Sequence, residues 1–158
     1  MDLTNKTILI TGATDGIGKV LAEEFSKLGS NIILLGKNSS KLDAVYDQLD
    51  HSFDSQKHLI LEADLSLLNN ESAHEILRAI SNEYDTLDGI IHNAAILGTM
   101  TPLEDYELSK WDEVLNINLR APFLLTKTLK SILENSTMPR IIFTSSGVAN
   151  TGRAFWGA

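Results

Sequence analysis

A glycine-rich stretch near the start of the chain has the residue types that cradle a phosphate. It covers residues 11–18, after an apolar run at 7–10 and before a segment at 20–29 whose apolar residues recur at helical spacing. Such a strand-to-helix turn presents backbone N–H groups and a positive helix end to a pyrophosphate. It therefore predicts a dinucleotide-binding turn, whose candidate contacts are Gly12, Thr14, Asp15, Gly16, Ile17 and Gly18.

The spacing of the glycines is G-x-x-x-G-x-G, which differs from the common G-x-G-x-x-G fingerprint. Gly18-Lys19 also resembles the end of a P-loop for nucleoside triphosphates. That motif needs Ser or Thr where Val20 stands and a glycine where Ala13 stands, so we reject it. A glycine-rich turn without any ligand stays open as the alternative from this motif alone.

The rest of the chain alternates short apolar runs with helical patterns, which is typical of a doubly wound parallel α/β sheet with helices on both faces. We predict strands at 7–11, 31–35, 58–63, 89–91 and 140–144. Helices are predicted from residue 39 or 40 to about 49, from 70 to 84 and from about 110 towards 134. Small and polar residues follow the strands, where ligands bind in such sheets; they are Lys37, Asn38, Asp64, Leu65, Asn93, Ala94, Ala95, Ser145 and Ser146.

Composition restricts the possible partners and the cellular setting. The 158 residues have a formal net charge of −8 and no basic stripe, so nucleic acid and anionic membranes are poor candidates. The absence of cysteine excludes a disulfide framework and a thiolate metal site. No leader-like or membrane-spanning apolar run is present. We expect one domain over residues 1–158, in the cytoplasm, with no metal and no membrane partner.

Four motifs occur in a fixed order along the chain. They are the glycine-rich stretch at 11–18, His-Asn-Ala-Ala at 92–95, Asn-Leu at 118–119 and Thr-Ser-Ser at 144–146. In this order and spacing they resemble the classical short-chain dehydrogenase/reductase family. The segment at 152–158, Gly-Arg-Ala-Phe-Trp-Gly-Ala, resembles a bacterial subgroup of uncharacterised oxidoreductases in that family.

The resemblance implies a single Rossmann-like domain with strand order 3-2-1-4-5, followed by further strands and helices that lie outside these residues. It implies hydride transfer between a nicotinamide cofactor and a small alcohol or carbonyl substrate. Carried over by position, Ser146 would bond the substrate oxygen, and Asn118 would position a water of the proton relay. Asp64 would meet the adenine ring. Subunits of the family usually associate, so we expect a homodimer or homotetramer.

One part of the family pattern falls beyond the chain. The catalytic Tyr-x-x-x-Lys is expected just after Ala158, so we expect residues 1–158 to bind cofactor without turnover, as part of a longer enzyme. Tyr106 and Lys110 have the same spacing, but they precede Asn118 and Ser146 and are not expected to be catalytic. A non-catalytic dinucleotide-binding or redox-sensing protein stays open as the alternative.

The residues after the second strand bear on the choice of nicotinamide. A carboxylate there would bond the ribose 2′-hydroxyl of NAD, and this sequence has Lys37 and Asn38 instead. A lysine suits the 2′-phosphate, so NADP is the expected cofactor, with NAD as the alternative. Asp15 occupies a position where many NADP enzymes of the family have a second basic residue, so the preference is expected to be modest.

Three further expectations concern the second half of the chain. Pro122 has no N–H, so we predict that it bends the long helix and turns the freed Asn118 carbonyl towards the space beside Ser146. Strand five is expected to be an open edge. The helix face formed by Trp111, Leu115, Leu119 and Phe123 is expected to be partly uncovered. His92 stays open as either a titrating or a structural histidine.

Overall fold

The fold was established from a computed structural model, which describes residues 3–156. It contains five parallel strands, β1 Thr7–Thr11, β2 Asn31–Gly36, β3 Leu59–Glu62, β4 Gly89–His92 and β5 Arg140–Phe143. The helices are α1 Gly16–Lys27, α2 Ser39–Tyr46, α3 Asn70–Glu83, α4 Leu108–Leu115 and α5 Ala121–Leu133. The strand order is β3-β2-β1-β4-β5, which confirms the predicted topology.

The core lies on both faces of the sheet because alternate residues of each buried strand point in opposite directions. Leu9, Ile33 and Ile90 pack on one face with apolar residues of α3 and α5. Ile10 and Leu34 pack on the other face with residues of α1 and α2. These two layers bury β1, β2 and β4, and they hold the carboxyl ends of the strands along one edge.

Several predicted boundaries needed correction. Helix α2 ends at Tyr46 rather than near residue 49, and β3 is two residues shorter than predicted. The single helix expected from about residue 110 begins at Leu108 and changes register midway. Asn116–Arg120 forms a π turn between α4 and α5, in which the Ala121 N–H donates to the Asn116 carbonyl.

The π turn lies at the place where Pro122 was predicted to disturb the helix. Pro122 itself is buried in the first turn of α5, where its missing N–H costs little. The helix is therefore disturbed by a wider turn that precedes the proline, and the bend at Pro122 stays a prediction.

The far side of α5 and strand β5 are open in the described part of the chain. Leu119 and Phe123 are 66% and 62% exposed, and every residue of β5 is exposed. The expectation of a partly uncovered helix face and an open sheet edge is thus confirmed for residues 3–156. No helix in that range is long and apolar enough to cross a membrane.

Candidate functional site

The carboxyl ends of β1 to β4 enclose a cavity of about 420 Å³. It contains most of the residues that the sequence suggested for a dinucleotide. Its lining is Gly12, Thr14, Asp15, Gly16, Gly36, Lys37, Ala63, Asp64, Leu65, Asn93, Ala94, Ala95, Ile96 and Ile117. Sequence reasoning missed Gly36, Ala63, Ile96 and Ile117. Gly36 directly follows a predicted strand and Ala63 ends one, so these two carried a signal.

The glycine-rich turn takes a conformation that favours glycine at two positions. Gly12 and Gly16 have φ values of 64° and 51°. A Cβ on Gly12 would lie 2.8 Å from the Cα of Ala94, whereas nothing lies within 4 Å of a Cβ on Gly16. The turn is therefore packed at its start against Ala94, which follows β4, and is open at the beginning of α1, as an approaching phosphate requires.

Three of the expected cofactor contacts do not line this cavity. A Cβ on Gly18 would overlap the Gly12 carbonyl oxygen and lie 2.6 Å from Nδ2 of Asn93, so Gly18 allows helix and turn to pack closely. Ile17 is 61% exposed. Asn38 caps α2, because its Oδ1 accepts a hydrogen bond from the Lys41 N–H at 2.9 Å.

Asn93 connects the turn to the neighbouring strands. Its Nδ2 donates to the carbonyl oxygens of Thr11 at 3.3 Å and Gly12 at 3.4 Å. Its Oδ1 accepts from the Thr144 hydroxyl at 3.3 Å, and its own N–H donates to Oγ1 of Thr11 at 3.0 Å. The ends of β1, β4 and β5 are thereby held together by side chains, two of which, Thr11 and Thr144, the sequence did not single out for this role.

Three charged side chains, Asp15, Lys37 and Asp64, line the cavity. Hydrogen bonds from the Ser66 hydroxyl at 2.7 Å and N–H at 2.9 Å lower the pKa of Asp64, and the charge of Lys37 acts in the same direction. Asp64 is thus an anion at neutral pH and can accept from an amino group. Asp15 caps α1 by accepting from the Gly16 N–H at 2.7 Å.

A second cavity, of about 480 Å³, adjoins the first. The two share Ala95 and Ile96 as lining residues, and the second brings together Asn118 and Ser146, the two candidate catalytic residues. Its other lining residues are Leu97, Val148, Ala149, Gly152, Arg153 and Trp156. The Ser146 hydroxyl oxygen accepts a long hydrogen bond, 3.5 Å, from the Val148 N–H, so the hydroxyl proton remains available.

Asn118 uses its side chain to hold the wall between the cavities. Its Oδ1 accepts from the Ile96 N–H, and its Nδ2 donates to the Ile96 carbonyl, both at 2.9 Å. The amide is therefore committed to the protein. The direction of the Asn118 main-chain carbonyl towards Ser146 stays a prediction.

His92 is buried and makes structural contacts. Its Nε2 lies 2.9 Å from Oγ1 of Thr126, and its ring stacks on Phe143 at a centroid distance of 4.8 Å. Nδ1 is buried without a partner among the described residues. Burial lowers the pKa of His92 to about 4, so the imidazole is neutral near pH 7.

Tyr106 and Lys110 are not arranged as a catalytic pair. The Tyr106 hydroxyl is buried without a partner among residues 3–156, and its ring lies edge-on to Trp111. The Lys110 ammonium is exposed and pairs with Glu113 at 2.9 Å. Neither residue lines the two cavities. Within the described range no group of three or more His, Asp or Glu side chains could hold a metal ion.

Comparison with known proteins decides the family. The family model for short chain dehydrogenase matches residues 6–158. The chain belongs to the short-chain dehydrogenase family. That family consists of oxidoreductases. In this chain the sheet has the order given above, and two adjoining cavities lie beside it.

Relatives within the short-chain dehydrogenase family are similar over nearly the whole chain. The uncharacterized oxidoreductase YciK of Escherichia coli K12 is 36% identical over 156 residues, which are 99% of this chain and 62% of YciK. A short chain dehydrogenase of Shigella flexneri, solved in complex with NADP, superposes with a TM-score of 0.92 at 37% identity and covers 99% of this chain. A short chain dehydrogenase from Escherichia coli CFT073, solved in complex with NADPH, superposes with a TM-score of 0.90 at 36% identity and covers 98% of this chain.

The chain spans less than two thirds of the length of these relatives. It covers 62% of YciK and 65% of each of the two solved structures. The similarity therefore covers the strands, the glycine-rich turn and both cavities, and the relatives contain further sequence that has no counterpart in residues 1–158.

Proposed function

We propose that this protein transfers a hydride between NADP(H) and the carbonyl or alcohol group of a small molecule. The observation that carries the proposal is the shared wall of Ala95 and Ile96 between the two cavities. One cavity has the lining expected for a dinucleotide, and the other contains Asn118 and Ser146. A cofactor in the first cavity can therefore meet a substrate in the second. The NADP and NADPH complexes of the similar dehydrogenases support the choice of cofactor.

The residues of the first cavity fit this cofactor. The open turn at Gly16 leaves room for the pyrophosphate beside the start of α1. Asp64, an anion, would accept from the amino group of the adenine, and Lys37 would face the 2′-phosphate. NADP(H), when bound, supplies or accepts the hydride. Gly12 positions the turn by its close approach to Ala94.

The residues of the second cavity would orient the substrate and a water. The Ser146 hydroxyl proton is available, and the hydroxyl would donate a hydrogen bond to the substrate carbonyl oxygen. The Asn118 amide is occupied by Ile96, so its main-chain carbonyl is the group we propose for holding a relay water. The proton donor would be the tyrosine of a Tyr-x-x-x-Lys motif, which we place after Ala158.

Cofactor affinity tests the NADP assignment. Calorimetric titration of the protein with NADP and with NAD is expected to show tighter binding of NADP. Lys37→Met should weaken NADP binding by about fivefold, since one exposed charge contact contributes on the order of 1 kcal/mol, and leave NAD binding unchanged. Equal affinity for the two dinucleotides would contradict the preference for NADP.

Turnover separates the enzyme from the non-catalytic alternative. Residues 1–158 are expected to bind NADPH but not to oxidise it with any member of a panel of aldehydes and ketones. A chain that continues with Tyr and Lys four residues apart should oxidise it. NADPH oxidation by residues 1–158 alone would refute our placement of the proton donor, and a gene that stops at Ala158 would favour a dinucleotide sensor.

We further propose that the protein forms a homo-oligomer through the open helix face. Leu119 and Phe123 are exposed on that face, and the β5 edge is unpaired within residues 3–156. Light scattering after size-exclusion chromatography should give a mass of at least two subunits. A monomer across the micromolar range would rule this out.

A further inference from the structure

The end of β2 brings helix α2 against the glycine-rich turn. A Cβ on Gly36 would lie 2.9 Å from Cγ2 of Thr14 and 3.4 Å from Cδ2 of Leu42. Leu42 is fully buried and anchors the first turn of α2 in the core. The residue before it, Lys41, is exposed. The first turn of α2 therefore stands beside the cavity with a lysine on its outer side.

Lys41 reaches from α2 to the turn. Its Nζ lies 3.8 Å from Oδ2 of Asp15, and the two side chains are 58% and 85% exposed. The other carboxylate oxygen of Asp15 is committed to the Gly16 N–H, so Oδ2 is the oxygen that faces the lysine. Because Asp15 lines the cavity, the Lys41 ammonium stands at the rim of the cavity although it is not among the lining residues.

The charges at this rim are unfavourable for a phosphate if Lys37 acts alone, because Asp15 lines the same cavity and offsets its charge. Asp64 lines the cavity as well, so Lys41 raises the number of ammonium groups from one to two against two carboxylates and removes the excess of negative charge. An exposed ion pair at 3.8 Å is weak, so the Lys41 side chain is free to turn towards a phosphate dianion when one is present.

We propose that Lys41 is a second cation for the 2′-phosphate of NADP and that Asp15 is its counter-ion when no phosphate is bound. This proposal rests on the proposed NADP function and assigns the specificity of the site to a residue on α2. NAD has a hydroxyl in place of the phosphate. Lys41 therefore favours the phosphorylated dinucleotide selectively and leaves the binding of NAD unaffected.

Binding constants of NADP and NAD, measured by calorimetry without any turnover, test the proposal. Lys41→Met is expected to weaken NADP binding about three- to fivefold, as for one exposed charge contact, and to change NAD binding by less than about twofold. Lys41→Arg should keep the NADP affinity. The matched control is Lys57→Met, which removes an exposed lysine from the loop before β3, at the other end of the sheet.

Asp15→Asn supplies an independent check on the ion pair. The amide oxygen can still cap α1, while the negative charge is lost. NADP binding should therefore tighten, and the gain should be larger in a Lys41→Met background, where no ammonium offsets the carboxylate.

The outcomes separate this proposal from the proposed function. Equal changes in NADP and NAD binding, or an effect of Lys41→Met no larger than that of Lys57→Met, would overturn the role of Lys41 while NADP binding itself stood. Failure of the unsubstituted protein to bind NADP would overturn the cofactor assignment, and the role of Lys41 with it.

Discussion

The side chain of Asn118 binds both backbone groups of Ile96, each at 2.9 Å. Ile96 belongs to the wall between the two cavities, so this pair of hydrogen bonds sets the position of that wall. Asn118→Ala should lower the free energy of unfolding by about 1–2 kcal/mol, since two hydrogen bonds to a partly exposed segment are lost. Amide hydrogen exchange at Ile96 should become faster, which mass spectrometry of a peptide spanning that residue would detect.

Two further variants make the Asn118 test specific. Asn118→Asp keeps the acceptor for the Ile96 N–H but places a second acceptor opposite the Ile96 carbonyl. We therefore expect it to lower the free energy of unfolding by less than Asn118→Ala does. Asn116→Ala, two residues earlier in the π turn, is the control and should leave exchange at Ile96 unchanged. If Asn118→Ala also left that exchange unchanged, the two hydrogen bonds would not determine the position of the wall.

Gly18 and Gly147 form a matched pair for the packing of the glycine-rich turn. An added Cβ at Gly18 would overlap the Gly12 carbonyl oxygen, whereas nothing lies within 4 Å of a Cβ at Gly147. Gly18→Ala is expected to lower the free energy of unfolding by about 1–3 kcal/mol through overpacking and to abolish tight dinucleotide binding. Gly147→Ala should change neither quantity. Equal urea midpoints for the two variants would argue against a close contact between α1 and the turn.

The buried His92 predicts a dependence of stability on pH. Burial lowers its pKa from 6.5 to about 4 in the folded protein. Between these values the unfolded chain binds a proton that the folded chain does not, so the free energy of unfolding falls as the pH falls, by at most about 1.4 kcal/mol per pH unit. The loss begins below pH 6.5 and is complete at about pH 4.

Urea unfolding at several pH values checks the His92 prediction. His92→Gln should reduce the slope of stability against pH in this window, compared with the unsubstituted protein. The pKa of His58 is also lowered by burial, so the difference between variants is the informative quantity. An unchanged slope in His92→Gln would mean that His92 is not held neutral by the fold.

Tyr106→Phe tests whether the isolated Tyr-x-x-x-Lys spacing has any catalytic role. The Tyr106 hydroxyl is buried without a partner among residues 3–156, so its removal should leave stability unchanged or raise it by up to about 1 kcal/mol. Dinucleotide binding should be unaffected, and so should turnover in a chain that includes the proposed downstream tyrosine. A large loss of turnover with intact stability would make Tyr106 a catalytic residue after all.

Much of the fold could be predicted because its signals are local. The apolar runs of β1 and β2 and the start of α3 at Asn70 follow directly from hydrophobic periodicity and capping residues. The π turn could not be predicted in this way. Pro122 signals only a missing hydrogen bond, and whether the helix responds by bending or by widening depends on the packing of its neighbours.

In the candidate site, too, the residues with a local signal could be predicted and those that depend on distant contacts could not. Gly12 and Gly16 could be found from spacing because their conformation is set within the turn itself. The roles of Ile96 and Thr144 depend on Asn118 and Asn93, which lie 22 and 51 residues away in the sequence. Lys41 was missed because a lysine on a helix surface has no local feature that distinguishes it; only its reach to Asp15 does so.

The bond between Asn93 and the glycine-rich turn has a consequence for biosynthesis. All three glycines of the turn leave the ribosome when the chain is short, but Asn93 and Ala94, which fix the turn through Thr11 and Gly12, follow some 80 residues later. A nascent chain that contains only β1, α1 and β2 therefore has the complete glycine motif without its final shape. Under the proposed function, we expect capture of NADP to begin only after β4 has paired with β1, so capture during translation would report on the assembly of the central sheet.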